Sequence, residues 1–398
     1  MKITDVAPFL LRGDEVYGSH SGVAEATDQG DWLLLVRVST DAGLTGWSDI
    51  ETFGPVAARV IRGASMSAMG FRTIADILVG RDPLEVERCW QEMYIATAYY
   101  GRRGVAMQCI SAVDNCLWSI RAQADGQDLA SALGGRRRDR LHAYASTLFR
   151  RTPEENAAAA RRYTELGFSG VKFGWGGFGI DPMLDRDNLV AIREALGPGR
   201  AMMVDPGWYV VDGDRPRTRT AEQTSRMLGV LAEFDPYWVE DFVHPEQPAG
   251  YAAFKEEFPQ LRFAAGEQQA TSWDFDRLIG EGHIDVVQPD LTRCGGLTVA
   301  AQVAAAAQAA GREIVTHSWL TDLLHAYSLH YLATLSRAHW VEFNVAQSGL
   351  SRGVAARRMT LDADGTVAVP VGVGIGVEVN EDFVRAAMAP ARVRPGPR

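Results

Sequence analysis

At 398 residues the chain is longer than a single hydrophobic core usually supports, and its 46% hydrophobic and 23% charged residues are those of an ordinary globular protein. A net charge of −10 excludes a general nucleic-acid or anionic-membrane surface, and the one basic run, Arg136 to Arg140, reads as a solvated connector. The start MKITDVAPFLLRGDE has no signal-peptide pattern, no apolar window reaches a spanning length, and Cys89, Cys109, Cys116 and Cys294 lack metal-ligand spacing, so a reduced cytoplasmic protein is expected.

The first 45 residues alternate between apolar and polar, and WLLLVRVSTDAGLTGWSD predicts a strand, an Asp-Ala-Gly turn and a second strand. From about Leu84 to Leu133 the apolar positions recur at helical spacing, and Gly134-Gly135 closes the last helix. Residues 1–135 therefore read as an α+β domain.

From His142 the texture changes to short apolar runs, each followed by an amphipathic helix: LHAYAS, GVKFGW, AMMVDPG, YWVEDF, RFAAGEQ, DVVQPDL, EIVTHS and HWVEFNV. Thr152-Pro153-Glu154-Glu155 and Thr220-Ala221-Glu222-Gln223 fit capping boxes, and Gly167 sits where the first of these helices should stop. Eight such units predict an α/β barrel rather than an open sheet, over residues 136–370. The rest, 371–398, is expected to return to the first domain. Its Gly372, Gly374 and Gly376 read as structural turns, because no helix follows where a nucleotide loop would need one.

Functional groups of such a barrel gather at the C-terminal ends of its strands. Three consecutive strands end in acids: Asp205, Glu240 with Asp241 beside it, and Glu267. One acid alone is more simply a helix cap or a solvated turn. Three that converge need a positive charge to stay ionised, and oxygen ligands without Cys or His favour Mg²⁺. The next two strands place Asp290 and His317 at equivalent heights, so the carboxylate would fix the tautomer of an imidazole acid/base. Lys172 ends strand two across the mouth and would hold a substrate carboxylate oxygen. Glu342 ends strand eight, where a protonated carboxyl would donate to a developing enediolate.

This order of Lys, Asp, Glu, Glu, Asp, His and Glu on strands two to eight resembles the mandelate racemase subgroup of the enolase superfamily. VSTDAGLTGWSD, GRRGVAMQCISAVDNCLWSIRAQADGQDLASALGG and VVQPDLTRCGGLT extend the likeness over nearly the whole chain. The resemblance implies a (β/α)7β modified TIM barrel under an N-terminal α+β capping domain. It implies one Mg²⁺ on Asp205, Glu240 and Glu267, a His317–Asp290 dyad, and an enediolate held by the metal, Lys172 and Glu342. A small hydroxy-carboxylate substrate and a homo-oligomer, dimer or octamer, follow from the same likeness.

Three positions depart from the family pattern. Gly174 stands where many relatives carry a second basic Lys, Gly207 where Asn is frequent, and Glu-Asp-Phe replaces Glu-Glu-Pro on strand four. Loss of the second base points to one-base dehydration of an aldonic or aldaric acid to a 2-keto-3-deoxy acid. A racemase, epimerase or cycloisomerase, and a catalytically inactive barrel that binds a ligand, are the alternatives. Tyr17, His20, Glu51, Tyr99, Tyr100 and Arg102 are the cap residues assigned to the substrate, with Trp175 and Trp319, and Trp208 beside them, as walls of the pocket.

Overall fold

A computed structural model describes residues 1–13, 31–50, 52–66, 71–212, 215–345 and 348–388. The chain opens with an antiparallel sheet of β1 (Ile3–Gly13), β2 (Asp31–Thr40) and β3 (Thr45–Ile50). Helices α1 (Gly54–Ile61), α2 (Ile74–Leu78) and α4 (Gly104–Ala124) pack on it, and α3 (Val86–Thr97) and α5 (Leu129–Ala132) pack against α4. The β2–β3 turn falls on the Asp-Ala-Gly that the pattern indicates, whereas α1 and α2 carry too short a period to be read from sequence.

The eight apolar runs become eight parallel strands. They are interleaved as β4 (Arg140–Leu148), α6 (Pro153–Glu165), β5 (Gly170–Gly174), α7 (Pro182–Leu196) and β6 (Ala201–Asp205), followed by a hairpin of β7 (Tyr209–Asp212) and β8 (Arg215–Thr218) and by α8 (Ala221–Ala232). The series continues through β9 (Trp238–Glu240), α9 (Ala249–Glu257), β10 (Phe263–Ala265), α10 (Thr271–Gly280), β11 (Val286–Val287), α11 (Gly296–Ala309), β12 (Glu313–Ile314), α12 (Asp322–Ala333) and β13 (Trp340–Asn344). The last elements are α13 (Gly349–Gly353), β14 (Thr366–Ala368) and α14 (Glu381–Ala387).

The strands pair in the order β12-β11-β10-β9-β6-β5-β4-β13, and β14 adds antiparallel to β4. Backbone N–H of Ile314 bonds Arg337 O at 3.1 Å, and Ser318 N bonds the Glu342 carboxylate, so strands seven and eight meet. This is the modified TIM barrel with its α+β cap. Both expected capping boxes are formed, Thr152 with Glu155 and Thr220 with Gln223, and Gly167 lies just past α6 at φ 99°. Among the described residues no helix is long and apolar enough to cross a membrane.

Alternation along the strands sets the height of the site. Tyr144, Met203, Trp238, Ala264, Val286 and Val315 fill the barrel interior as one buried apolar layer. Side chains two residues further point the same way. Ser146, Asp205, Glu240, Gln288 and His317 therefore stand directly above that layer. Gly266, at φ 144°, breaks the alternation, and a Cβ there would lie 2.9 Å from the Gln288 backbone. That turn shifts Glu267 into the row.

The cap is fastened to the barrel by buried polar groups on α4. The first backbone donors of α11 lack helical partners, as at any helix start. Here α4 supplies them: Ser111 Oγ accepts from Gly295 N at 2.8 Å, Asn115 Oδ1 from Leu297 N at 3.1 Å, and Asp114 Oδ2 from Thr298 N at 2.9 Å. Thr298 Oγ1 also donates to Asp114 Oδ1 at 2.6 Å. Replacing Asp114 by Ala strands the buried amide and hydroxyl donors of Thr298, and chemical denaturation should show a loss of about 1–3 kcal/mol. A change under a few tenths would contradict this account of docking.

Candidate active site

Asp205, Glu240 and Glu267 each direct an oxygen into one buried place, within 4.8 Å of one another. On strand four Glu240 faces the other two acids, whereas Asp241 takes φ 43° and accepts at Oδ1 from Gly266 N at 3.3 Å. Glu240 Oε2 accepts from Trp238 Nε1 at 2.8 Å and Gln288 Nε2 at 2.9 Å, while its Oε1 meets Lys172 Nζ. Asp205 Oδ1 accepts from Gly207 N at 2.9 Å, and Arg219 grips the carbonyl oxygens of Pro206 and Gly207.

The electrostatics are those of a crowded acid cluster. Burial, with Glu240 nearby, pushes the Asp205 carboxyl well above the usual range against the pull of Lys172. Burial and the charge of Glu267 do the same to Asp241. Glu267 goes the other way: burial opposes its charge, but His317, Arg293 and Lys172 hold it low. Such a set cannot be fully ionised without a cation. Three oxygen donors with no nitrogen or sulfur among them suit a hard divalent ion such as Mg²⁺.

The dyad is in place. His317 Nδ1 lies 2.7 Å from Asp290 Oδ2, and the two residues bridge adjacent strands in parallel register. Nε2 faces the triad, 3.1 Å from Glu267 Oε2. Although burial disfavours the charged ring, Glu267, Glu342 and Asp290 raise its pKa to about 10. Asp290 also accepts from Thr292 N at 2.6 Å, and Arg293 stands 3.6 Å from it and 3.4 Å from Glu267.

Lys172 is buried and lies 2.9 Å from Glu342 Oε1. Burial works against its charge, but Glu240 and Glu342 keep the ammonium protonated well above the usual range. Glu342 does not act as the hydrogen-bond donor expected of it. It accepts from Ser146 Oγ at 2.6 Å and from Ser318 N, and Lys172 and His317 outweigh its burial to hold it at about 2. The neighbouring cation, which the sequence does not place beside it, makes Glu342 a carboxylate.

The aromatic residues divide. Trp175, at φ 53°, donates its backbone N–H to Asp205 O at 2.7 Å and lays its indole over Gly207, where a Cβ would come within 2.8 Å of the ring. Its ring meets Tyr209 at 4.9 Å, Tyr209 meets Trp208 at 4.9 Å, and Trp208 meets His244 at 4.8 Å, an aromatic string beside Asp205. Trp319 is half-buried just after His317. Tyr99, Tyr100 and Arg102 are not gathered to the acids. They line a separate groove of about 520 Å³ with Tyr94 and Trp273, Tyr100 bonding Arg72 O at 3.1 Å and Tyr99 resting edge-on against Phe71. None of the three acids lines that groove, and Arg103 ties this loop to Glu246 and Asp274, in the segments that follow β9 and β10. Tyr17, His20 and Glu51 lie outside the described residues.

Sequence reasoning missed Ser146, Gln288, Arg293 and Arg219. For Gln288 a signal was available, since it precedes Asp290 by two and so shares its face. The other three follow from side-chain reach across strands and loops.

Comparison with known proteins accords with this geometry. Residues 19–134 match the mandelate racemase / muconate lactonizing enzyme N-terminal domain, and residues 155–383 match the enolase C-terminal domain-like family. The chain belongs to the mandelate racemase/muconate lactonizing enzyme family of the enolase superfamily. It is 30% identical to a D-galactarolactone cycloisomerase of Agrobacterium fabrum over 96% of this chain and 97% of that one. It is 29% identical to an L-rhamnonate dehydratase of Saccharopolyspora erythraea, over 78% and 72%. The crystal structure of a 3,6-anhydro-D-galactonate cycloisomerase from Zobellia galactanivorans superposes with a TM-score of 0.82 at 26% identity, covering 98% of this chain and 100% of that one.

If the triad holds a divalent cation, Glu240→Gln should weaken Mg²⁺ binding by about 10- to 100-fold in a calorimetric titration. Unchanged affinity would remove Glu240 from the ligand set.

Proposed function

We propose that the chain abstracts the α-proton of a sugar acid with His317 and then expels the β-oxygen, giving a 2-keto-3-deoxy acid. The observation that carries this reading is the dyad, His317 on Asp290 at 2.7 Å, facing the carboxylate triad with Lys172 across the mouth and Gly174, not a second Lys, two positions further along strand two. A Cβ at Gly174 would come within 3.1 Å of Asp205 Oδ2, so a side chain there would fit only if the Asp205 carboxylate gave way by a few tenths of an ångström.

Asp205, Glu240 and Glu267 would hold the Mg²⁺. When bound, the ion would polarise the substrate carboxylate and stabilise the negative charge that develops on it. Lys172, fixed by Glu342, binds one carboxylate oxygen. Asp290 fixes the ring of His317 through Nδ1, so Nε2 is the nitrogen that reacts. Substrate entering between Nε2 and Glu267 replaces that contact and removes the carboxylate charge that most strongly holds the ring protonated, so the imidazolium gives its proton to solvent and Nε2 can take the α-proton. As imidazolium, His317 returns it to the oxygen leaving the β-carbon, and the enol tautomerises to the ketone. Trp175 and Tyr209 offer an apolar face to the C–H side of the sugar, the indole filling the space that a side chain at position 207 would need.

The leaving oxygen decides the reaction class. A hydroxyl gives dehydration. A ring oxygen gives ring opening without loss of water, and the likeness to the cycloisomerase over nearly the whole chain favours this second reading. Incubating aldonic and aldaric acids and their lactones with enzyme and Mg²⁺, followed by mass spectrometry and proton NMR in D₂O, separates the cases. Dehydration yields a keto acid lighter by one water, ring opening a keto acid of unchanged mass, and epimerisation no ketone at all.

His317→Asn should lower kcat by about 100- to 10,000-fold while folding and Mg²⁺ binding persist. Activity within a few-fold of the parent would refute the role of His317. Trp175→Leu should raise KM about fivefold with little change in kcat, the worth of one aromatic face; an unmoved KM would take the indole out of the pocket.

A further inference from the structure

Asp49, on β3 of the cap, has no exposed surface, yet its side chain reaches out of the cap to the barrel. Oδ2 accepts the hydrogen bond of Thr321 Oγ1, and that hydroxyl accepts in turn from Leu323 N at 3.0 Å, capping α12. Oδ1 is buried with no partner among the described residues. A second tie joins the same elements, Tyr327 Oη on α12 donating to Trp47 O on β3 at 2.8 Å. Leaving a carboxyl oxygen buried and unpaired is costly, and a Leu or Ala would pack without that cost.

The other end of this contact is the catalytic loop. Between β12 and α12 the chain is held at three points: His317 by Asp290, Ser318 by Glu342, and Thr321 by Asp49. The first two anchors come from the barrel and the third from the cap. Asp49 also lies close enough to Asp290 for their charges to interact: burial pushes its carboxyl up to about 7, opposed by the Thr321 hydrogen bond and reinforced by Asp290.

We propose that Asp49 is a cap-borne positioning residue that, through Thr321, fixes the 317–321 segment and with it the orientation of the His317 imidazole. The catalytic geometry is then completed by docking of the cap, and the cap contributes to rate as well as to substrate choice. This inference rests on the reading of His317 as the base.

The test compares Asp49→Asn, Thr321→Val, the double variant and Thr321→Ser. Its readouts are kcat and KM on the sugar acid, thermal stability, and the ¹⁵N signals of the His317 ring. Asn at 49 and Val at 321 should each lower kcat by about 10- to 100-fold, with KM within about threefold. The double variant should be no worse than either single one, Thr321→Ser should restore the rate, and the His317 signals should move in the first three. A kcat within about threefold of the parent for Asp49→Asn overturns the proposal, as do additive losses that track melting temperature with unmoved ring signals. If Asp49→Asn does not fold, the Thr321→Val and Thr321→Ser pair decides. Should the parent turn over no sugar acid, the base assignment falls and Asp49 is judged on the ring signals alone: moved signals support it, unmoved ones reject it.

Discussion

Carboxylates buried side by side repel one another and lose their hydration, and everything at the barrel mouth is arranged around that penalty. Asp205, Glu240 and Glu267 share one buried site, and Asp241 is buried against it. Cationic or cationisable groups ring the set: Lys172 between Glu240 and Glu342, Arg293 between Glu267 and Asp290, and His317 between Glu267 and Asp290. Signs thus alternate around the mouth. The ring lowers the repulsion without removing it, as the raised Asp205 and Asp241 show. A divalent ion in the centre is the charge that the arrangement calls for.

The barrel delivers this pattern by simple means. One apolar layer fixes the floor, the two-residue period lifts Asp205, Glu240 and His317 to a common height, and Gly266 supplies the one change of phase that Glu267 needs. Above the floor the acids meet Lys172, His317, Arg293 and backbone N–H groups, while Gln288 Oε1 and Asp241 Oδ2 are buried without a partner among the described residues. The Asp205 turn is braced twice, by Arg219 on its carbonyls and by the Trp175 indole over Gly207, so the hairpin Tyr209–Thr218 is built onto the same turn that presents the acid. The cap, fastened through Asp114, Asn115 and Ser111, brings β3 down onto α12.

Much of this was legible because it is written in strong local signals. Short apolar runs, each followed by an amphipathic helix, located all eight strands, and the capping boxes at Thr152 and Thr220 located two of the helices between them. The dyad was visible because Asp290 and His317 end successive strands. What stayed hidden depends on reach and on backbone turns. Nothing in the order of residues says that Asp241 adopts φ 43° and leaves the cluster to Glu240. Lys172 and Glu342 lie 170 positions apart in chain numbering but on strands separated only by β4, so the ion pair that keeps Glu342 ionised appears only in three dimensions. The β7–β8 hairpin is short and rich in Arg and Asp, which reads as loop. Tyr99 and Arg102 stand out by their chemistry alone, and that they share a groove with Tyr94 and Trp273 follows from the packing of α3 and α10, which the order of residues does not reveal.

The central claim is a single divalent ion at the meeting point of three strand ends. Crystals soaked in Mn²⁺ and measured at an energy where manganese scatters anomalously test it directly. One strong peak coordinated by Asp205, Glu240 and Glu267, with His317 facing it, is the result this account predicts. A peak bound by other residues, or none at that place at saturating Mn²⁺, would contradict it.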